Sequence, residues 1–137
     1  MPIAKIWEQM RLAAACGVER IWIVNVGDLK PMEFPLEFFL SMAWDPERFT
    51  ADSLDAYSLS WAAREFGGRH AARIAALING YTKLNGRRKP ELLTPDTLSL
   101  VNYREAERVL AEWHTLAREA ERIDGELPRE HRSAFFQ

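Results

Sequence analysis

The sequence holds one cysteine, Cys16, so no disulfide can close within the chain. Its three histidines, His70, His114 and His131, lie far apart without Cys partners at metal-site spacing, so neither a structural metal nor any other cofactor is expected. An excess of either charge is also lacking: 18 Lys plus Arg stand against 20 Asp plus Glu, for a formal net charge of -2, and the basic residues are spread along the chain. A phosphate-binding surface needs them gathered on one face, so nucleic acid is excluded as an expected partner. Only Arg87-Arg88-Lys89 clusters, at the end of a helical pattern and directly before Pro90, where cations suit the negative end of a helix dipole. No apolar run is long enough to span a bilayer, and Met1-Pro2-Ile3-Ala4-Lys5-Ile6-Trp7-Glu8 is amphipathic without the apolar core of a signal peptide. No membrane association is expected, and the compartment stays open.

What is present is ordinary globular material: 137 residues, 47% hydrophobic and 28% charged, enough to bury roughly two-thirds of the unfolded surface. Over residues 3–16, Ile3, Ile6, Trp7, Met10, Ala13 and Ala14 share one side at helical spacing, and Gly17 is placed to end that helix. Arg20-Ile21-Trp22-Ile23-Val24-Asn25-Val26 follows, β-branched and aromatic without alternation, which predicts a strand covered on both faces, as in a parallel sheet. Helix, glycine and buried strand make half of a β/α repeat.

After a loop punctuated by Gly27, Pro31 and Pro35, the period becomes helical for good. Apolar spacing predicts helices over residues 36–44, from the Asp52 cap to Gly67-Gly68, and over 69–85 with Ile74, Leu77, Ile78, Tyr81 and Leu84 as the stripe. Asn102-Tyr103-Arg104-Glu105 resembles a capping box and opens the longest helix, whose stripe runs Ala106, Val109, Leu110, Trp113, Leu116, Ala117, Ala120 and Ile123. Leu127-Pro128 starts a further helix that ends on Ser133-Ala134-Phe135-Phe136-Gln137. The expected class is mainly α, a helical bundle preceded by one helix-strand-helix piece. A lone buried strand leaves its backbone groups without partners, and the apolar last turn is unlike a polar tail, so the chain is expected to be an interior piece of something larger.

Chemistry concentrates near the end of that strand. Asn25 closes an otherwise apolar run with a side chain that both donates and accepts; it either faces a site or satisfies the backbone of its own loop. Asp28, Lys30 and Glu33 follow, and either face a ligand or hold the loop through local ion pairs. Trp7, Trp22, Trp44, Trp61 and Trp113 each sit in an apolar pattern and read as core. Tyr81-Thr82-Lys83-Leu84-Asn85 with Arg87 and Arg88 forms a polar cluster that capping or an interface explains.

Several long stretches occur in a telling order: Lys5-Ile6-Trp7-Glu8-Gln9-Met10, the run from Arg20 to Pro35, Tyr81-Thr82-Lys83-Leu84-Asn85 with Arg87-Arg88-Lys89-Pro90-Glu91-Leu92-Leu93, and Asn102-Tyr103-Arg104-Glu105-Ala106-Glu107-Arg108. Together they resemble glycoside hydrolase family 115. That resemblance implies a xylan α-glucuronidase, removing (4-O-methyl)glucuronic acid from xylan, built as a (β/α)8 barrel followed by a helical bundle. Residues 1–44 would then be the last barrel unit and 45–137 most of the bundle, incomplete at its C-terminus. It also implies that Asn25 hydrogen-bonds the uronic acid or orders the attacking water. Asp28, Lys30 and Glu33 match the motif without a defined role. The family's catalytic carboxylates would precede Met1, so no catalytic residue is expected in this chain and none of its activity when isolated. The partners implied are glucuronoxylan or its oligosaccharides in the parent enzyme, whose localisation stays open, secreted or periplasmic being among the alternatives. Self-association through the unmatched strand is expected of the fragment, and a non-catalytic helical interaction module is the alternative reading.

Overall fold

A computed structural model describes residues 1–136, so Gln137, the last residue of the apolar C-terminal turn, lies outside the described residues. Six α-helices are present among them: α1 (Ile3–Ala15), α2 (Glu33–Trp44), α3 (Leu54–Phe66), α4 (Ala71–Arg87), α5 (Glu105–Glu126) and α6 (Arg129–Phe136). The mainly helical class is therefore as the periodicity predicts.

Helix α1 stops where glycine allows it. Gly17 takes φ +84, its N–H donates to the Ala14 carbonyl at 2.9 Å, and the Val18 N–H reaches back to the Ala13 carbonyl at 3.1 Å. Those two bonds are the Schellman arrangement, which satisfies carbonyls that the helix end leaves over.

The strand expected over residues 20–26 does not form; there is no strand among the described residues, and the helix-strand-helix barrel unit is thus not what this chain builds. Ile21 is 73% and Ile23 88% exposed. The physical reason is non-local: a helix closes its own N–H to C=O bonds, whereas a strand needs a neighbouring strand to receive them. Trp22 anchors the segment, its indole N–H donating to the Val18 carbonyl at 2.8 Å and its ring lying 6.1 Å from that of Phe39.

Helix α2 is apolar nearly all round. Phe34, Phe38, Phe39 and Met42 enter a core with Ile3 and Ile6 of α1, Phe49 and Leu54. Pro35 is harmless there, because its missing N–H falls in the first turn, where no intrahelical acceptor exists. On the far side Leu40 is exposed, and Trp44 is 90% exposed, contrary to its reading as core. A helix apolar on both sides is patterned for burial on both.

Helices α3 and α4 form a hairpin broken at Gly67, which takes φ +80. Buried Ser58 ties the two together: its hydroxyl lies 3.0 Å from the Asn79 side-chain oxygen, and the Asn79 amide donates to Asp55 at 3.2 Å. A second core gathers Ala62, Phe66, Ala71, Ile74, Ala75, Ile123 and Leu127, and Trp61 and Ile78 pack against both cores.

Helix α5 does not start by the capping box read at Asn102. Tyr103 and Arg104 take left-handed φ of 56 and 52, and Glu105 instead accepts the Ser99 N–H at 3.0 Å while the Ala106 N–H donates to the Ser99 carbonyl at 3.0 Å. Along α5, Gly80 of α4 permits close approach, since a Cβ there would stand 2.9 Å from Leu116 Cδ2. Arg73 then clamps the pair by donating to Glu119 at 2.7 Å and to Glu126 at 2.6 Å.

Candidate functional site

Residues 25–33 lead from the irregular segment that follows α1 into α2. The Asn25 Oδ1 accepts the Gly27 N–H at 3.4 Å, a local turn that Gly27 accommodates at φ +65. That turn occupies the acceptor of the amide and takes none of its N–H groups. Asn25, Asp28, Lys30 and Glu33 are all on the exposed side of the chain's surface. Lys30 Nζ stands 3.9 Å from Glu33 Oε1, a loose solvent-exposed pair across one turn, which holds the loop to the start of α2 with little energy. Glu33 also sits in the first turn of α2, where a carboxylate meets the positive end of the helix dipole. The four residues thus share one loop.

Beside the loop runs a groove of about 1120 Å³. Helix α4 is its floor, through Ile74, Leu77, Ile78, Tyr81 and Asn85. One wall comes from Met1, Lys5 and the entry to α2, including Glu33; the other comes from Trp113, Leu116 and Ala120 of α5 with Phe135 of α6. Of the four residues singled out in the loop, Glu33 lines this groove, while Asn25, Asp28 and Lys30 are not among the described residues that do. Tyr81 is 55% exposed and packs edge-on against Trp113, ring centroids 5.7 Å apart. Neither residue was singled out for a site by its sequence pattern. The usable signal was the i, i+4 pair Tyr81 and Asn85, which places an aromatic and an amide on the same side of α4.

Electrostatics around the loop are set by braces. Tyr57 donates to Glu37 Oε1 at 3.0 Å, and Arg64 grips the same carboxylate at 3.0 and 2.5 Å. Burial pushes the Tyr57 phenol up to about 12, opposed by its bond to the Ser41 hydroxyl and reinforced by the Glu37 carboxylate. The Arg64 guanidinium is raised, first by its bond to Glu37 and then by that to Glu65. These bonds lock α2 to α3 and so fix where the loop enters its helix. A glycosidase needs two carboxyl groups set on either side of the scissile bond, and Asp28 and Glu33 are separated here into a solvent-facing turn and a helix start. The arrangement can hydrogen-bond and orient a hydroxylated or carboxylated ligand.

The sequence profile of glycosyl hydrolase family 115 matches residues 1–92, which include the whole loop and α1 to α4. A search of curated proteins finds no match.

Proposed function

The chain belongs to glycosyl hydrolase family 115, and on that premise we propose that it serves a xylan α-glucuronidase, with residues 25–33 as a substrate-positioning loop and the helices as its brace. The observation that carries this reading is the family match over residues 1–92, a range that includes the loop. Asn25 would bond the uronic acid or the attacking water through its amide N–H groups, which the local turn leaves unused. Asp28, Lys30 and Glu33 would line the approach without a defined catalytic role. The acid and base of hydrolysis would come from outside these residues, because one short loop does not offer two carboxyls on opposite sides of a bond.

Residues 1–44 would pack against a sheet belonging to the same enzyme, and residues 45–137 would form the bracing helical domain. Exposed Ile21 and Ile23 support this, as does the second apolar face of α2 at Leu40 and Trp44: each is patterned for a partner. The isolated chain should show no turnover on glucuronoxylan oligosaccharides, and turnover at an ordinary glycosidase rate would refute the placement of the acid and base elsewhere. In the complete enzyme, Asn25→Ala should lower kcat/KM by about tenfold or more. A wild-type value in that variant would take Asn25 out of the site.

A second reading, a non-catalytic helical interaction module, is favoured by the same exposed segment. Rich in β-branched side chains and without ladder bonds, residues 20–26 could pair with their counterpart in a second copy. Light scattering tests it directly: a strictly monomeric chain at high concentration would rule the module out.

A further inference from the structure

The groove along α4 combines two properties that seldom meet on one surface. Its lining is largely aromatic and apolar, with Tyr81 on the floor beside Trp113 of one wall, and it also includes the polar side chains of Lys5, Asn85, Lys89 and Glu91. A pyranose ring has the matching division, an apolar face of C–H bonds and a fringe of hydroxyls. The volume of about 1120 Å³ lies above the roughly 300–1000 Å³ usual for a single small ligand, which suits a chain of sugars better than one ring.

We propose that this groove is a carbohydrate-chain subsite in which the Tyr81 ring stacks on a sugar face while Asn85, Lys89 and Lys5 bond its hydroxyl and carboxylate groups. The proposal rests on the family reading for the class of ligand, and on Glu33, which belongs both to the loop and to the groove wall. Trp113 is a positioning residue here: its edge contact holds the Tyr81 ring, which would otherwise be free to turn on an exposed helix face. Asn85 is placed likewise, its amide donating to the Tyr81 carbonyl at 3.1 Å one turn back. The two lysines suit a chain that bears carboxylates, and Glu91 supplies an acceptor for neutral hydroxyls.

Titration calorimetry on the 137-residue chain tests the subsite with two probes, unsubstituted xylohexaose and a xylotetraose bearing one glucuronic acid. Wild type should bind both saturably. Tyr81→Ala should weaken both by about tenfold, and Tyr81→Phe should stay within about twofold of wild type, with unchanged helical circular dichroism in each. Asn25→Ala should leave xylohexaose binding as it was and weaken only the decorated probe. If Asn25→Ala leaves both probes unaffected while Tyr81→Ala does not, the loop reading fails and the groove stands. Absence of saturable xylohexaose binding overturns the subsite, as does a Tyr81→Ala chain that binds like wild type. A Tyr81→Ala variant that loses self-association without any effect on sugar would assign the groove to a second copy instead.

Discussion

Two apolar stretches lie close together in this chain and meet opposite fates. Residues 20–26 and residues 34–42 are both dense in large hydrophobic side chains, yet the second contributes Phe34, Phe38, Phe39 and Met42 to a core while the first leaves Ile21 and Ile23 in solvent. Hydrophobicity does not separate them. Backbone self-sufficiency does: α2 closes its hydrogen bonds internally and is then free to bury whichever face finds neighbours, whereas an extended segment cannot be buried until another strand takes its N–H and C=O groups. Burying unpaired peptide groups would cost more than the isoleucine side chains gain.

The sharpest way to break that contrast is to truncate one side chain in each stretch. Phe38 is fully buried, so Phe38→Ala should lose about 3–5 kcal/mol of stability, while Ile23→Ala should stay within about 0.5 kcal/mol. Urea titrations of both variants decide it, and comparable losses would mean that residues 20–26 are buried in solution. Next in size is association: Ile21→Lys combined with Ile23→Lys should abolish any self-association of wild type seen by light scattering, without lowering the urea midpoint appreciably. Persistence of the same oligomer would shift attention to Leu40 and Trp44 on the outer side of α2.

A smaller effect probes the α2–α3 brace. Because the folded Tyr57 phenol is raised from 10.0 to about 12, its contribution is complete below pH 10 and is lost as pH rises from there towards 12. Partial exposure screens it, so about 1 kcal/mol is the expected scale. Tyr57→Phe should flatten the alkaline end of the stability profile, and an unchanged slope would assign it to other groups. The least effect belongs to the surface clamps. Arg11 holds the Glu47 carboxyl below its ordinary 4.5 in the N-terminal part, and Arg73 of α4 does the same for Glu126 at the end of α5. Depressed carboxylates stabilise the fold above that value and lose their contribution as pH falls through the folded value. Arg11→Gln and Arg73→Gln should each make acid unfolding slightly less steep, and by similar amounts; a difference between them would show one region unfolding before the other.

Much of the helical layout was legible because helix signals are local. The stripe from Ile3 to Ala14, the glycine stop at Gly17, the break at Gly67 and the long stripe ending at Ile123 all depend on residues within a few turns of each other. Two misreadings fall where a distant partner decides: Trp44 lacks the second layer its pattern calls for, and the strand lacks a sheet. The third is local, a choice between competing caps in which Glu105 bonds back to Ser99 in place of the Asn102 cap. For the candidate site the division is the same. The loop with Asn25 and Glu33 could be picked out as a polar interruption between apolar runs, but the groove could not, since Glu33, Tyr81 and Trp113 come from three separate parts of the chain.

By itself, then, the order of residues determined which segments are helical, where glycine ends them, and membership of a glycoside hydrolase family. Those are properties of short-range bonding and of long ordered motifs. Only the tertiary structure decided that residues 20–26 form no strand and leave Ile21 and Ile23 open, that Trp44 faces solvent, and that Tyr81 and Trp113 meet over a groove beside the loop. Each of these depends on which surfaces are near enough to exclude water or receive a hydrogen bond, and proximity between distant residues is set by packing.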